Sequence, residues 1–373
     1  MADQFGTQLD YTDAEGTQRQ GKIIHQGPGR TKPGSELVIS DIQVEVDGVT
    51  GWLVKKSLHQ AAAKHDPQLY ARMENEVRTG LMLRRRFGGP AYPAELARLA
   101  GYDVDCEEPF VLYERLHGSG FAADVAGRLL LEEQKQFQIT LLRGVRILEQ
   151  VGIVHRGITP YSVWWDGHVA QLTDFELAIK AQRWRTPVGE RPWASPQQRL
   201  GVGGTCARDD VWSAGMVIYH VAAGTRSTAA LNGPVSLNAV EPRTRELLAG
   251  VFAEKAKHRP HPLDLLIRLR ETDPIAPQEE AADGAFERGG LRYDEMMRQK
   301  WGSTWRRPPV ARDPMVEDDD EDEAAPAPAA PPPEYHAPPP TPVVRAGGGG
   351  MVLAVVVAIV VLAIALWLIG GML

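Results

Sequence analysis

Three stretches of the sequence hold residue types able to handle a phosphate, a metal or a proton. HQGPGRTKPGSELV (25–38) brings Gly27, Gly29 and Gly34 close together. Glycine-rich loops cradle phosphates through backbone N–H groups, but Pro28 and Pro33 remove donors, so a plain turn is the better reading. In IVHRGITPYSVWW (153–165), His155 and Arg156 stand beside Gly157, which has no side chain to accept a proton. QLTDFELA (171–178) carries two carboxylates, Asp174 and Glu176. Lys55 and Lys56 precede Glu74 and Glu76 by some twenty residues, and read alone they are solvated charges. Cys106 and Cys206 are the only cysteines and lack metal-ligand spacing. A disulfide framework or zinc site is therefore not expected, and a reducing compartment fits.

The elements that must position these residues change character along the chain. KIIHQ, ELVIS, IQVEV and GWLVKK alternate apolar and polar positions between Gly and Pro turns, as short strands do. Gln68 to Arg86 reads as a helix with Met73, Val77 and Leu81 on one face, and PFVLYERL as another strand. Beyond Glu132 the pattern is mainly helical, through EEQKQFQITLLRGVRILEQVG, DDVWSAGMVIYHVAAG, RTRELLAGVF and HPLDLLIRLR. A strand-rich part followed by a helix-rich part predicts an α+β, two-lobed domain over residues 20–272, after an N-terminal tail at 1–19.

The rest of the 373 residues is different. Residues 273–316 are polar, with one short helix expected at LRYDEMMRQKWG and with Trp301 and Trp305 among basic residues, read as a solvated linker. Residues 317–350 begin with seven consecutive carboxylates and continue rich in Pro, Ala and Gly, a composition that stays extended as a stalk. Met351 to Ile369, MVLAVVVAIVVLAIALWLI, is apolar on every face and without charge. As a helix it is roughly 28 Å long, the hydrocarbon thickness of a bilayer, which predicts a transmembrane anchor. The N-terminus has no apolar signal sequence and arginines precede the anchor, so the N-terminal domain is expected in the cytoplasm. The net charge of −7 is dominated by the acidic run, and no basic field argues for nucleic acid. Abundant Ala, Arg, Gly and Pro are what a GC-rich bacterial genome gives.

Taken in order, residues 20–270 resemble a Hanks-type Ser/Thr protein kinase, as a degenerate member or pseudokinase. The resemblance matches Lys55, in GWLVKK, to the lysine that grips the α/β-phosphates, with Lys56 as the one-residue alternative, and Glu76 to its glutamate partner, with Glu74 as fallback. It places Tyr113 at the gatekeeper position, with Glu114 and Leu116 offering backbone groups to adenine. In the H-R-D-x-x-x-x-N motif His155 and Arg156 are kept, but Gly157 replaces the base, Thr159 the γ-phosphate lysine and Ser162 the metal-binding asparagine. In D-F-G, Asp174 is kept as a Mg²⁺ ligand and Phe175 as a packing residue, while Glu176 replaces glycine and, with Ser162, is a further candidate metal ligand. Asp210 would brace the catalytic loop, and Arg259 would pair with Gln197 in place of the family's glutamate.

The resemblance therefore implies a membrane-tethered scaffold with ATP, with or without Mg²⁺, as a conformational ligand, and with membrane-associated protein partners. The alternatives are a weak or atypical Ser/Thr kinase and a structural adaptor with no nucleotide pocket. A missing base costs about 10²–10⁴ in rate, and the other losses add to it.

Overall fold

The computed structural model describes residues 7–33, 35–58, 68–115, 120–224, 235–275, 295–296 and 298–299. The chain divides into two units, Met1–Ala324 and Ala325–Leu373, and the described residues all lie in the first. Among them no helix is long and apolar enough to cross a membrane. The apolar run at 351–369, the stalk and most of the 273–316 linker lie outside the described residues.

The N-terminal lobe is built from strands β1 (Thr7–Asp13), β2 (Gln18–Gln26), β3 (Arg30–Lys32), β4 (Ser35–Val46), β5 (Val49–Ser57), β6 (Leu99–Asp103) and β7 (Phe110–Glu114). ELVIS and IQVEV form one strand, β4, because no turn residue separates Ser40 from Asp41. Asp47 and Gly48, both at positive φ, turn β4 tightly into β5. Antiparallel pairing runs β6–β7–β5–β4, and β4 also pairs with β2. The first 19 residues are not simply a tail. Alternation of inward Leu9 and Tyr11 with exposed Gln8 and Asp10 makes Thr7–Asp13 a strand, and it pairs with both β2 and β6. Six strands thus close into a ring around Leu9, Tyr11, Ile23, Ile42, Val44, Phe110 and Leu112. Closure abolishes the open edges a sheet would otherwise present.

The seam between β1 and β6 depends on Gly101, which faces Asp13 in the register. A Cβ there would collide with the Tyr11 ring and lie 2.8 Å from the Thr12 carbonyl oxygen. Gly101→Ala should therefore cost about 1–3 kcal/mol by forcing β1 outward. Urea denaturation checks this, together with faster amide exchange in β1 than in β5.

Helix α1 (Gln68–Phe87) crosses behind this lobe and buries Leu69, Met73, Glu76, Val77, Gly80 and Leu83 at helical spacing. Arg84, Arg85 and Arg86 fill its last turn, where positive charge suits the helix dipole. The second lobe contains β8 (Gly120–Phe121), α2 (Ala122–Val125), α3 (Leu131–Gln150), β9 (Ile153–Val154), β10 (Val163–Trp165), β11 (Ala170–Leu172) and β12 (Ile179–Lys180). It ends with α4 (Pro196–Leu200), α5 (Ala207–Ala223), α6 (Pro242–Leu247) and α7 (Pro262–Arg268). The Glu133 carboxylate starts α3 by accepting the Leu130 N–H at 2.7 Å. Phe137, Leu141, Val145 and Leu148 point from α3 into the core. Helix α5 is buried on nearly every face, as a central helix must be. One hydrophobic cluster joins both lobes, from Leu37, Met73 and Leu99 to Phe137, Trp165, Val217 and Leu265. An α+β, two-lobed domain is what the strand-then-helix pattern predicts.

Candidate functional site

The cleft between the lobes collects charges that are far apart in the chain. Pairing of β5 with β4 and β7 sets the alternation of its side chains. That register turns Lys56, not Lys55, inward. Lys56 is 4% exposed and its ammonium is bonded to Glu76 Oε1 and ion-paired with Asp174 Oδ1. Lys55 lies on the opposite face of the strand, over the Phe110 ring at 4.7 Å from its centroid. The lysine of this site is therefore Lys56, and the reason is strand parity, which a one-residue uncertainty in the sequence match inverts. Glu76 is fully buried on the apolar face of α1, and Glu74 is not buried. A carboxylate survives in that position because Lys56 compensates its desolvation.

Asp174 sits at φ 67, a strained left-handed conformation for a non-glycine residue, as does Arg156 at φ 63. Arg156 is held there by Asp210, whose Oδ2 and Oδ1 accept the N–H groups of His155 at 2.6 Å and Arg156 at 2.9 Å. Arg156 also reaches outward, donating from Nη2 to the carbonyl and hydroxyl of Thr186 at 2.9 Å. Phe175 is fully buried and tilted against the His155 ring at 5.1 Å. Arg259 donates to Gln197 Oε1, a neutral acceptor, and Gln197 Nε2 donates to the Glu254 carbonyl at 2.5 Å.

Two positions weighed as metal ligands serve other ends. The Ser162 hydroxyl donates to the Gly157 carbonyl and accepts the Thr159 N–H, both at 2.8 Å, so it braces the loop. Glu176 lies in a single 3-10 turn, Phe175–Leu177, and is buried under α1, where Asn75 Nδ2 donates to its carbonyl at 3.1 Å. Burial raises its carboxyl pKa above the ordinary range, and the Ser35 hydroxyl donates to it at 2.6 Å. Among the described residues no group of three or more His, Cys, Asp or Glu side chains converges as a metal site.

Sequence reasoning missed Lys32 altogether. The glycine-rich stretch is not a plain turn but a short hairpin of β3 onto β4, with Arg30 opposite Ile39 and Lys32 opposite Ser35. The hairpin drives the Lys32 ammonium down onto Asp174 Oδ2, and it donates to the Tyr161 carbonyl at 3.1 Å. Burial and the Lys56 ammonium push the Lys32 pKa down, while the Glu176 and Glu76 carboxylates act in the opposite sense. Proline content argued against phosphate binding but carried no signal that a lysine would fill the space.

The upper part of the cleft is narrow. Lys32, Val54, Lys56, Ala97, Tyr113, Phe121 and Trp164 bound a cavity of about 40 Å³, close to the volume of one water and far below that of a small-molecule pocket. Trp164 and Phe121 meet edge to face at 4.9 Å, sealing its floor. Burial and the neighbouring Glu76 carboxylate raise the Tyr113 hydroxyl pKa well above its usual value. Glu114 ends β7, with its carboxylate toward Arg98 at 3.2 Å, and Leu116 lies outside the described residues, as does Gly34. Below, a larger hollow of about 350 Å³ is lined by Arg72, Arg156, Gly157, Thr159, Glu190 and Trp193.

Part of the chain is similar in sequence to known protein kinases. CBL-interacting serine/threonine-protein kinase 17 of Arabidopsis thaliana is 26% identical over 129 residues, 32% of this chain and 28% of that protein. Sperm motility kinase 3A of Mus musculus is 24% identical over 168 residues, 44% of this chain and 30% of that protein. CBL-interacting protein kinase 16 of Oryza sativa is 31% identical over 124 residues, 31% of this chain and 27% of its own. The chain is kinase-like. It spans less than a third of the length of these relatives, and no family model matches it.

The kinase-like loop also carries a pH signature. His155 is fully buried, with Nε2–H donating to the Thr173 carbonyl at 3.0 Å and Nδ1 accepting the Gly157 N–H at 3.2 Å. Burial lowers its pKa to about 4, so the neutral Nε2–H tautomer should persist by NMR at pH values where an ordinary histidine charges. Its contribution to stability is complete above the ordinary 6.5 and lost as the pH falls toward 4, because the unfolded chain takes the proton first. Asp210 works in the opposite sense. Burial raises its pKa from 3.8 to about 7, so its contribution is lost as the pH rises through that window. Asp210→Asn should therefore steepen the loss of stability between pH 6.5 and 4, measured by urea denaturation at a series of pH values.

Proposed function

We propose that this chain is a membrane-tethered pseudokinase, a kinase-like module that binds and positions protein partners and transfers little or no phosphate. The observation that carries this reading is the lower hollow, where Gly157 faces the space in which a hydroxyl would have to lose its proton. Position 157, where the family's base stands, offers no side chain to accept it. Support also comes from the upper cleft, in which Lys32 and three aromatic rings leave about 40 Å³. The apolar run at 351–369 and the extended stalk before it favour a tether that holds the module near membrane-associated partners and raises its effective concentration there.

A second reading, a weak or atypical Ser/Thr kinase, draws on one feature: Lys56, Glu76 and Asp174 are joined across the cleft as a phosphate-gripping set would require. Radiolabelled ATP and a generic protein substrate separate the two. The pseudokinase reading expects incorporation by the full-length chain in detergent micelles to equal that of Lys56→Met. Incorporation that falls in Lys56→Met and Asp174→Ala would establish the kinase instead.

A further inference from the structure

We propose that Lys32 is a built-in counter-cation that takes the place of a divalent metal on Asp174, so that this cleft admits nucleotide only without metal. The inference rests on reading the cleft as a degenerate kinase site, but not on whether phosphate is transferred. Both oxygens of Asp174 are already engaged by ammonium groups, Oδ1 by Lys56 and Oδ2 by Lys32. A metal approaching either oxygen would meet two positive charges within a few ångströms, in a medium that screens them poorly.

The surroundings do not supply what Mg²⁺ requires, a near-octahedral shell of oxygens. Ser162 Oγ is committed to the Gly157 carbonyl and the Thr159 N–H. Glu176 is turned toward Ser35. Lys32 itself donates to the Tyr161 carbonyl, one residue before Ser162, so its ammonium lies between Asp174 and the segment where a second metal ligand would stand.

Lys32 is not a loose surface contact. Its side chain is 10% exposed, and its ammonium lies 5.1 Å from the centroid of the Phe121 ring. The hairpin that carries it is tied at a second point by the Ser35–Glu176 hydrogen bond. A cation attached to the fold is present at high effective concentration, whereas a dissolved metal must displace it.

The test uses the full-length chain in detergent micelles, Mn²⁺ as a spectroscopic substitute for Mg²⁺, and ATP. Free Mn²⁺ is read by electron paramagnetic resonance and nucleotide by thermal shift with EDTA or with metal. The wild type should hold no Mn²⁺, with or without ATP, and metal should not add to any ATP-induced shift. Lys32→Ala should bind Mn²⁺·ATP at least ~10-fold tighter than the wild type, and Asp174→Asn in that background should abolish the gain. Lys32→Met, which keeps the aliphatic stem over Phe121, should behave as Lys32→Ala and serves if the smaller residue does not fold. Metal-dependent nucleotide binding by the wild type as tight as by Lys32→Ala overturns the proposal, as does the absence of any gain in folded Lys32→Ala and Lys32→Met. Neither result touches the pseudokinase reading, which fails only on phosphate incorporation.

Discussion

Asp209→Ala should destabilise the domain by about 3–5 kcal/mol, because it removes the buried carboxylate that the Arg185 guanidinium faces. Arg185 Nε donates to Asp209 Oδ2 at 2.9 Å, and both side chains are 0% exposed. Ser195 donates to the other oxygen at 2.8 Å, and Arg259 lies 3.9 Å from it. One carboxylate thus joins the segment after the Asp174 turn, the start of α4 and the chain before α7 to the first turn of α5. For a domain of this size the loss corresponds to a fall in melting temperature on the order of 10 °C. Thermal and urea unfolding check it, and a loss below ~1 kcal/mol would mean that Arg185 finds water or another partner. The adjacent Asp210 should respond differently. Its pKa is raised to about 7, so Asp210→Asn removes little charge at neutral pH, and its cost comes from setting an amide N–H against one of the two backbone N–H groups that Asp210 accepts.

The second large effect concerns chemistry. A side chain at position 157 has room, since an added Cβ meets nothing nearer than His155 Nδ1 at 3.5 Å and Leu177 at 3.7 Å. Gly157→Asp should fold normally and place a carboxylate in the lower hollow, yet transfer no more phosphate than the wild type, because Lys32 still occupies Asp174. Adding Thr159→Lys, Ser162→Asn and Lys32→Ala should raise incorporation by about 10²-fold or more, the range assigned to a positioned base. Asparagine can donate and accept as Ser162 does toward the Gly157 carbonyl and the Thr159 N–H, so the loop should hold. Equal activity of Gly157→Asp alone and of the quadruple variant would show that Lys32 does not obstruct the site.

Much of the fold was legible in local pattern. The strands at KIIHQ and GWLVKK, the helical spacing of Met73 and Val77, and the apolar faces of α3 and α5 each survive in three dimensions. These are properties of short windows, where the period of burial is written directly into residue order. The positions that depart from the kinase motif were legible for the same reason. Gly157 and Thr159 lack the needed atoms in any conformation, and no packing can restore them.

What the tertiary structure decided are matters of parity and distance. Whether Lys55 or Lys56 enters the cleft depends on how β5 pairs with β4 and β7, and a shift of one residue reverses it. That Thr7–Asp13 closes a ring follows from its meeting β6 some 90 residues away, at a glycine that lets the backbones touch. Lys32 and Asp174 are separated by 142 residues, and neither stretch announces the other. A buried ion pair is a bargain between two desolvated groups, struck only when the fold brings them together. Residue order placed Gly157 and Thr159 in a kinase-like motif, and the folded chain decided which lysines meet Asp174.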